Sequence, residues 1–326
     1  MVRVDTSSGP APDRALLGAS IGLVIVIWAV NFIAAKIGLR FLPAMTLASF
    51  RVVLAGAVML PFYLVCSRLP NFREAAKSTR RNFTWRDIWI FLYMGFFGVT
   101  INQVCFTAGL RYTSVSHAAV IVGMGPVYTL ILAVLFRLER ATWRKAMGMA
   151  IAFAGVAVLA SENGISAHSP SVLGDAITMT GSIGFAMYVV LGKRLAGRYD
   201  PLTMTAFSHY AGAVIVLPVA VYRAVALGSV EHWRAIAWTG WAAMLYMAIF
   251  SSAVAYVFYF WLLRYLEASQ LSAFTYLLPI VATVLGILLL GEKGSWNQVL
   301  GGVLALGGVY WIESGRASVV NDNVTQ

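Results

Sequence analysis

The sequence predicts an all-α integral membrane protein of ten transmembrane helices, built as two inverted five-helix repeats. Three observations carry this prediction. The 326 residues are 60% hydrophobic and only 11% charged, where ordinary soluble domains carry about 25% charged residues. Apolar segments recur ten times, each long enough to cross a hydrocarbon core about 30 Å thick with some tilt. The chain also resembles itself when slid by roughly half its length. These features exclude a disordered chain and an ordinary water-soluble enzyme. Ten spans with short connections leave no room for a soluble catalytic domain of the usual ~100 residues or more.

In chain order, residues 1–14 are polar and contain Pro and Ser, with no signal-peptide cleavage pattern, and read as a cytoplasmic tail. The first repeat, 15–162, holds apolar segments at 16–38, 43–66, 88–109, 116–136 and 145–161. The second, 171–314, holds segments at 172–192, 202–222, 239–262, 270–290 and 297–313, and 315–326 form a second cytoplasmic tail. Sustained alternation of polar and apolar residues is absent, which excludes a membrane barrel. Glycines inside the runs fit close helix–helix approach in lipid.

The net charge of +11 and pI near 9.9 invite a nucleic-acid reading. The positions of the charges answer it. With both termini cytoplasmic, seventeen of the 24 Lys and Arg residues fall on the cytoplasmic side, six on the other, and Arg51 lies inside the second span. Such asymmetry is what membrane orientation produces, so the partner is a lipid bilayer and no nucleic acid is expected. Cys66 and Cys105 sit in apolar runs at no metal or redox spacing, and neither a cofactor nor a metal site is predicted.

An offset of 153 residues superposes Arg111-Tyr112 on Arg264-Tyr265, Ser116 on Ser269, Pro126 on Pro279, Glu139 on Glu292 and Trp143 on Trp296. It also superposes Gly148, Ala152 and Gly155 on Gly301, Ala305 and Gly308, and the ungapped window 110–161 holds 14 identities. Earlier in each half the offset becomes 157, pairing Ala29/Ala186, Lys36/Lys193, Thr46/Thr203, Phe50/Phe207 and Pro61/Pro218. A five-helix unit has an odd number of spans, so its second copy enters from the opposite side. That is the inverted-topology repeat common among secondary transporters.

Trp28-Ala29-Val30-Asn31-Phe32 in the first span resembles the W-x-x-N-F opening of the EamA-like branch of the drug/metabolite transporter superfamily. Phe50-Arg51, the run Ala108-Gly109-Leu110-Arg111-Tyr112-Thr113-Ser114, Pro126, Glu139, Glu292 and Gly174-Asp175 match that family's other landmarks. The resemblance covers roughly 15–314; its weight lies in the ordered set and the duplication, not in any one motif. It implies a ten-helix transporter of small metabolites in a cytoplasmic membrane, often an exporter, with a cavity between spans one to four and six to nine.

Several residues stand out as candidates for chemistry. Arg51 is the basic residue deep in a span, and such a charge is a functional hypothesis by default. Its planar fork suits a carboxylate or phosphate; a structural clamp on helix-end carbonyls fits as well. His209 lies near mid-depth of span seven, where it is either a proton-coupling group or a neutral hydrogen-bonded His; His117 sits near a span end. Carboxylates fall near span ends, and Glu139 and Glu292 read as end-of-helix or gating groups. Pro126 and Pro279 interrupt spans at equivalent depth, the best sequence pointer to a transporter's binding site. Near these depths the candidate lining comprises Asn31, Tyr93, Tyr128, Tyr188, Tyr256 and Tyr276, with Gln103 nearer the outside. The repeated Gly-xxx-Ala-xx-Gly face reads as close helix packing, with a homodimer contact as the lesser reading. The predicted function is alternating-access transport of a small polar, amino-acid-like metabolite, as an exporter. Import in the same fold, a passive channel and a membrane-embedded enzyme are the alternatives; scattered His and no mid-depth carboxylate argue against the enzyme.

Overall fold

The computed structural model describes residues 13–68, 83–112, 121–161, 172–196, 198–226, 228, 233, 236–278, 280–281, 284–285 and 296–322. Among these residues the regular secondary structure is helical, without strands. The helices are α1 (Arg14–Phe41), α2 (Ala44–Cys66), α3 (Trp85–Tyr112), α4 (Gly125–Leu135) and α5 (Trp143–Ser161). They continue as α6 (Val172–Leu195), α7 (Pro201–Ala226), α8 (Trp238–Leu262), α9 (Ala268–Ala273) and α10 (Trp296–Asp322). Six of them, α1, α2, α3, α6, α7 and α8, are long and apolar enough to cross a membrane.

Local chemistry sets the breaks. Pro43 cannot extend α1, and α2 starts directly after it. The α3 N-terminus carries a capping box in which the Thr84 backbone N–H donates to Asp87 Oδ2 at 2.6 Å. Asp200 accepts the Thr203 N–H at 2.9 Å ahead of Pro201, the first residue of α7. At the end of α4, Arg137 adopts a positive φ of 57°. The Leu138 N–H then returns to Ala133 O at 2.8 Å and the Arg137 N–H to Val134 O at 2.9 Å. This is the Schellman arrangement with an arginine where glycine is usual. Pro126 stands in the first turn of α4 just after a turn at Met124. Its repeat partner Pro279, like His117 and Glu292, lies outside the described residues.

Two helices change character midway. α3 passes into π-helix over Gly95–Ile101, and α8 does so over Met247–Val254. The offset of 153 residues carries 95–101 onto 248–254. The same offset pairs Trp85 with Trp238 and Trp143 with Trp296, each the first residue of its helix and each more than three-quarters exposed.

Packing is reciprocal between the halves: α2 lies on α7, α5 on α10, α1 on α8, α3 on α6 and α4 on α9. The small-residue face of α5 meets that of α10. A Cβ at Gly155 would stand 2.6 Å from Gly301 O, and one at Gly308 would stand 2.6 Å from Gly148 O. The face therefore serves contact within the chain.

The largest buried apolar cluster joins Val24 and Ile27 of α1, Phe91 and Met94 of α3, Tyr188 of α6, Tyr199, Met204 of α7, and Tyr259 and Phe260 of α8. It fills the end of the bundle where α1, α3 and α7 begin and α6 and α8 finish. Polar contacts brace the same end. Lys193 Nζ donates to the Leu263 and Leu266 carbonyls at 2.7 and 2.5 Å, closing the C-terminus of α8. Arg198 pairs with buried Asp87 at 2.9 Å. Glu139 accepts the Ser269 N–H at 3.1 Å and bonds the Ser269 hydroxyl, capping α9 from the next-neighbour helix end. Lys145 bridges Glu139 at 2.8 Å and Glu267 at 2.5 Å.

Candidate functional site

A cavity of about 110 Å³ lies between the middle of the bundle and the end where α2, α4 and α6 begin. Its wall draws on α1, α2, α3, α4, α6, α8 and α9; among the described residues none of α5, α7 or α10 lines it. α5 and α10 pack on each other, and α7 lies behind α2 and α8. Part of the wall is aromatic: Trp28 and Phe32 from α1, Phe106 from α3, Phe185 from α6 and Tyr256 from α8. Trp28 sets its ring 5.6 Å from Phe185 and 5.9 Å from Tyr256, both edge-on. Phe32 meets Phe106 edge-on at 5.4 Å.

Arg51 enters this wall from α2 and is 4% exposed. Its Nε donates to Ser252 Oγ at 3.1 Å and its Nη2 to Ser251 Oγ at 3.1 Å. No carboxylate pairs with it among the described residues. The guanidinium is thus held by neutral hydroxyls while its charge stays uncompensated. A buried charge without a counter-ion is costly, and an incoming anionic group would supply one.

Two neighbouring amides have an unspent group. Asn31 Oδ1 and Gln103 Nε2 are buried and meet no partner at hydrogen-bonding geometry among the described residues. The first is an acceptor and the second a donor, and both residues line the cavity. Asn102 has partners at both ends of its amide by contrast: the nitrogen donates to Gly181 O at 3.2 Å and Oδ1 accepts from Tyr256 at 3.3 Å. Thr129, Thr178, Ser182, Ser272 and Thr275 complete the polar lining. Each donates its hydroxyl proton to a carbonyl of its own helix three or four residues back. Their oxygens remain acceptors. The wall therefore offers a fixed cation with a free donor and, apart from these, a set of free acceptors beside aromatic rings.

Of the nine residues predicted from sequence, the structure brings four to this wall: Asn31, Arg51, Gln103 and Tyr256. The other five lie elsewhere. Tyr93 is 47% exposed and packs its ring, tilted, against Phe97 at 4.5 Å, facing away from the cavity. Tyr128 turns its hydroxyl to Met124 Sδ at 3.5 Å. Tyr188 and Tyr276 are fully buried in the apolar packing. His209 is fully buried behind the wall, with Nδ1 2.8 Å from Thr205 O and its ring 5.1 Å from the Tyr256 ring. The sequence reading missed the serines and threonines of the lining, and Asn102.

Comparison with known proteins places the chain among transporters. Residues 16–161 and 172–314 each match the model described as the EamA-like transporter family. An uncharacterized transporter of Archaeoglobus fulgidus is 28% identical over 290 residues, covering 89% of this chain and 96% of that protein. A Streptantibioticus cattleyicolor protein named a probable terminal-alkyne amino-acid exporter is 26% identical over 291 residues, covering 89% and 91%. A solved crystal structure superposes with a TM-score of 0.70 at 16% identity, covering 96% of this chain and 100% of that one. At that identity the likeness speaks for the fold alone.

Proposed function

The chain belongs to the EamA-like transporter family, and from that premise we propose that it is a secondary transporter exporting a small, carboxylate-bearing, amino-acid-like metabolite. The observation that carries the substrate class is Arg51, a buried cation in the cavity wall whose described partners are hydroxyls only. A carboxylate on Arg51 can also take an N–H of the Gln103 amide. An ammonium or hydroxyl group on the same ligand meets Asn31 Oδ1, the back-bonded hydroxyls and the aromatic faces of Trp28 and Tyr256. The Streptantibioticus cattleyicolor relative, named as an amino-acid exporter, supports both the substrate class and the direction.

The mechanism in this reading is alternating access between two inverted five-helix halves in a cytoplasmic membrane. The offset of 153 residues between the two π-helical segments and between helix-initiating tryptophans supports the repeat, as does the reciprocal packing of α1 on α8 and α3 on α6. The charge distribution supports cytoplasmic termini. On that orientation the sealed end, with its apolar cluster and ion pairs, faces the cytoplasm and the cavity lies toward the opposite side. Export then requires the brace at the sealed end to open and the opposite end to close.

Counterflow in liposomes tests the proposal. Purified protein preloaded with unlabelled alanine or threonine should accumulate the labelled amino acid transiently and saturably. Linear, unsaturable equilibration would identify a passive channel, and chemical conversion of the solute would identify an enzyme.

A further inference from the structure

Resting on the reading of Arg51 as an anion anchor, we infer that Ser251 and Ser252 are positioning residues that set the Arg51 guanidinium for substrate. Three helices of the first half converge on this pair in α8. From α1, the Trp28 indole N–H donates to the Ser251 carbonyl at 3.2 Å. From α2, Arg51 donates to both hydroxyls at 3.1 Å. From α3, Gln103 Oε1 stands 3.4 Å from Ser252 Oγ. Both serines are almost fully buried.

The π-helical stretch makes this convergence possible. In an α-helix adjacent side chains diverge by about 100°; the wider π turn brings Ser251 and Ser252 closer in angle, so two consecutive residues reach one guanidinium. Ser252 Oγ lies 2.9 Å from Met247 O, five residues back, and donates its own proton there. Its lone pairs are thereby left to Arg51. Fixing Nε and one Nη atom fixes the plane of the fork, while three of its five N–H donors stay available. The hydroxyls add no charge, so the cation keeps its full pull on an anion; an aspartate in their place would cancel it.

The pair belongs to one half only. The offset of 153 residues places Gly98 and Val99 at the corresponding positions of the first π segment. A Cβ at Gly98 would collide with the Tyr188 ring, so that segment serves packing. A repeated scaffold thus carries an anchor on one side of the cavity and not on the other.

Counterflow of tritiated alanine, threonine and phenylalanine, each competed by its own carboxamide, tests the inference. Converting both serines to alanine (Ser251→Ala with Ser252→Ala) should raise KM for the acids about tenfold, the scale of one hydrogen bond at a charged group. The maximal rate should stay within about twofold, and the preference for acid over amide should fall. Ser252→Thr, which keeps the hydroxyl, should restore KM to within about threefold of the parent. If the double variant does not fold, Ser252→Ala alone is read by the 15N resonance of Arg51 Nε, which should shift and exchange faster. An unchanged resonance, or an unchanged KM and acid preference, overturns the inference. Where Arg51→Ala loses the acids while the serine variants do not, the anchor stands and the positioning role falls. Where Arg51→Ala moves the acids as the parent does, or the parent moves none of them, both fall.

Discussion

Arg51 concentrates the chemistry of the wall in one side chain, and its substitutions separate charge from geometry. Arg51→Lys keeps the cation and loses the planar fork, so the serine hydroxyls and a substrate carboxylate can no longer be engaged together. KM for an acidic substrate should rise about tenfold in Arg51→Lys and about a hundredfold in Arg51→Ala, with membrane insertion unchanged, measured by liposome uptake. His209 behaves differently. Its Nδ1 is engaged by Thr205 O and the ring is walled off from the cavity by Tyr256. These contacts predict a packing role, so His209→Asn should leave the pH profile of uptake superimposable on that of the parent between about pH 5.5 and 8; a profile that flattens would make His209 a coupling group. Four of nine candidate residues stand on the cavity wall because sequence spacing gives depth along a helix. It does not give azimuth. A membrane helix is apolar on all sides, so nothing in the pattern distinguishes a tyrosine facing the cavity from Tyr93, which faces out.

Between elements, the glycines show most directly how the sequence sets distance. Gly148, Gly155 and Gly308 let α5 and α10 approach until a Cβ would meet backbone atoms of the partner. A leucine at Gly155 must push the helices apart, and overpacking of this kind costs about 1–3 kcal/mol. Gly155→Leu should lower the thermal midpoint in detergent by several degrees, and Gly155→Leu with Gly308→Leu by more than either alone, measured by light scattering. That each face packs closely was legible in the sequence because the motif repeats at a fixed offset; that the two faces meet each other was not. The π segments were not: a π turn inserts no characteristic residue, and only their spacing of 153 residues marks them once the structure is known. Glu139 lies between these cases. Its position near a helix end was readable, but its role as a cap on α9 depends on the positive φ of Arg137, which turns the chain toward Ser269. Glu139→Gln keeps the shape and loses the ion pair to Lys145. With the brace weakened, the sealed end should open more often, and amide exchange of Ser269 and Gln270 should quicken while the α5–α10 contact keeps its protection.

For the whole molecule, the duplication makes a claim about direction that the helices alone do not. Trp85 and Trp143 start helices at one end of the bundle, and Trp238 and Trp296 start helices at the other. Exposed tryptophans at helix starts suit the membrane–water boundary, so under the proposed inverted repeat each half would carry its own pair and the two pairs would occupy opposite faces. Among the described residues most of the Lys and Arg stand at the end bearing Trp85, which predicts that this end faces the cytoplasm. Single cysteines read the result directly. In a background with Cys66 and Cys105 replaced by serine, Arg86→Cys beside Trp85 and Ala237→Cys beside Trp238 place thiols at exposed positions. A membrane-impermeant maleimide added to intact cells should label Ala237→Cys and spare Arg86→Cys, which should react only after the membrane is opened. Labelling of both from outside would contradict the inverted repeat. The reverse pattern would keep the repeat and turn the protein over, placing the sealed end outside and the cavity toward the cytoplasm, where an exporter loads its substrate.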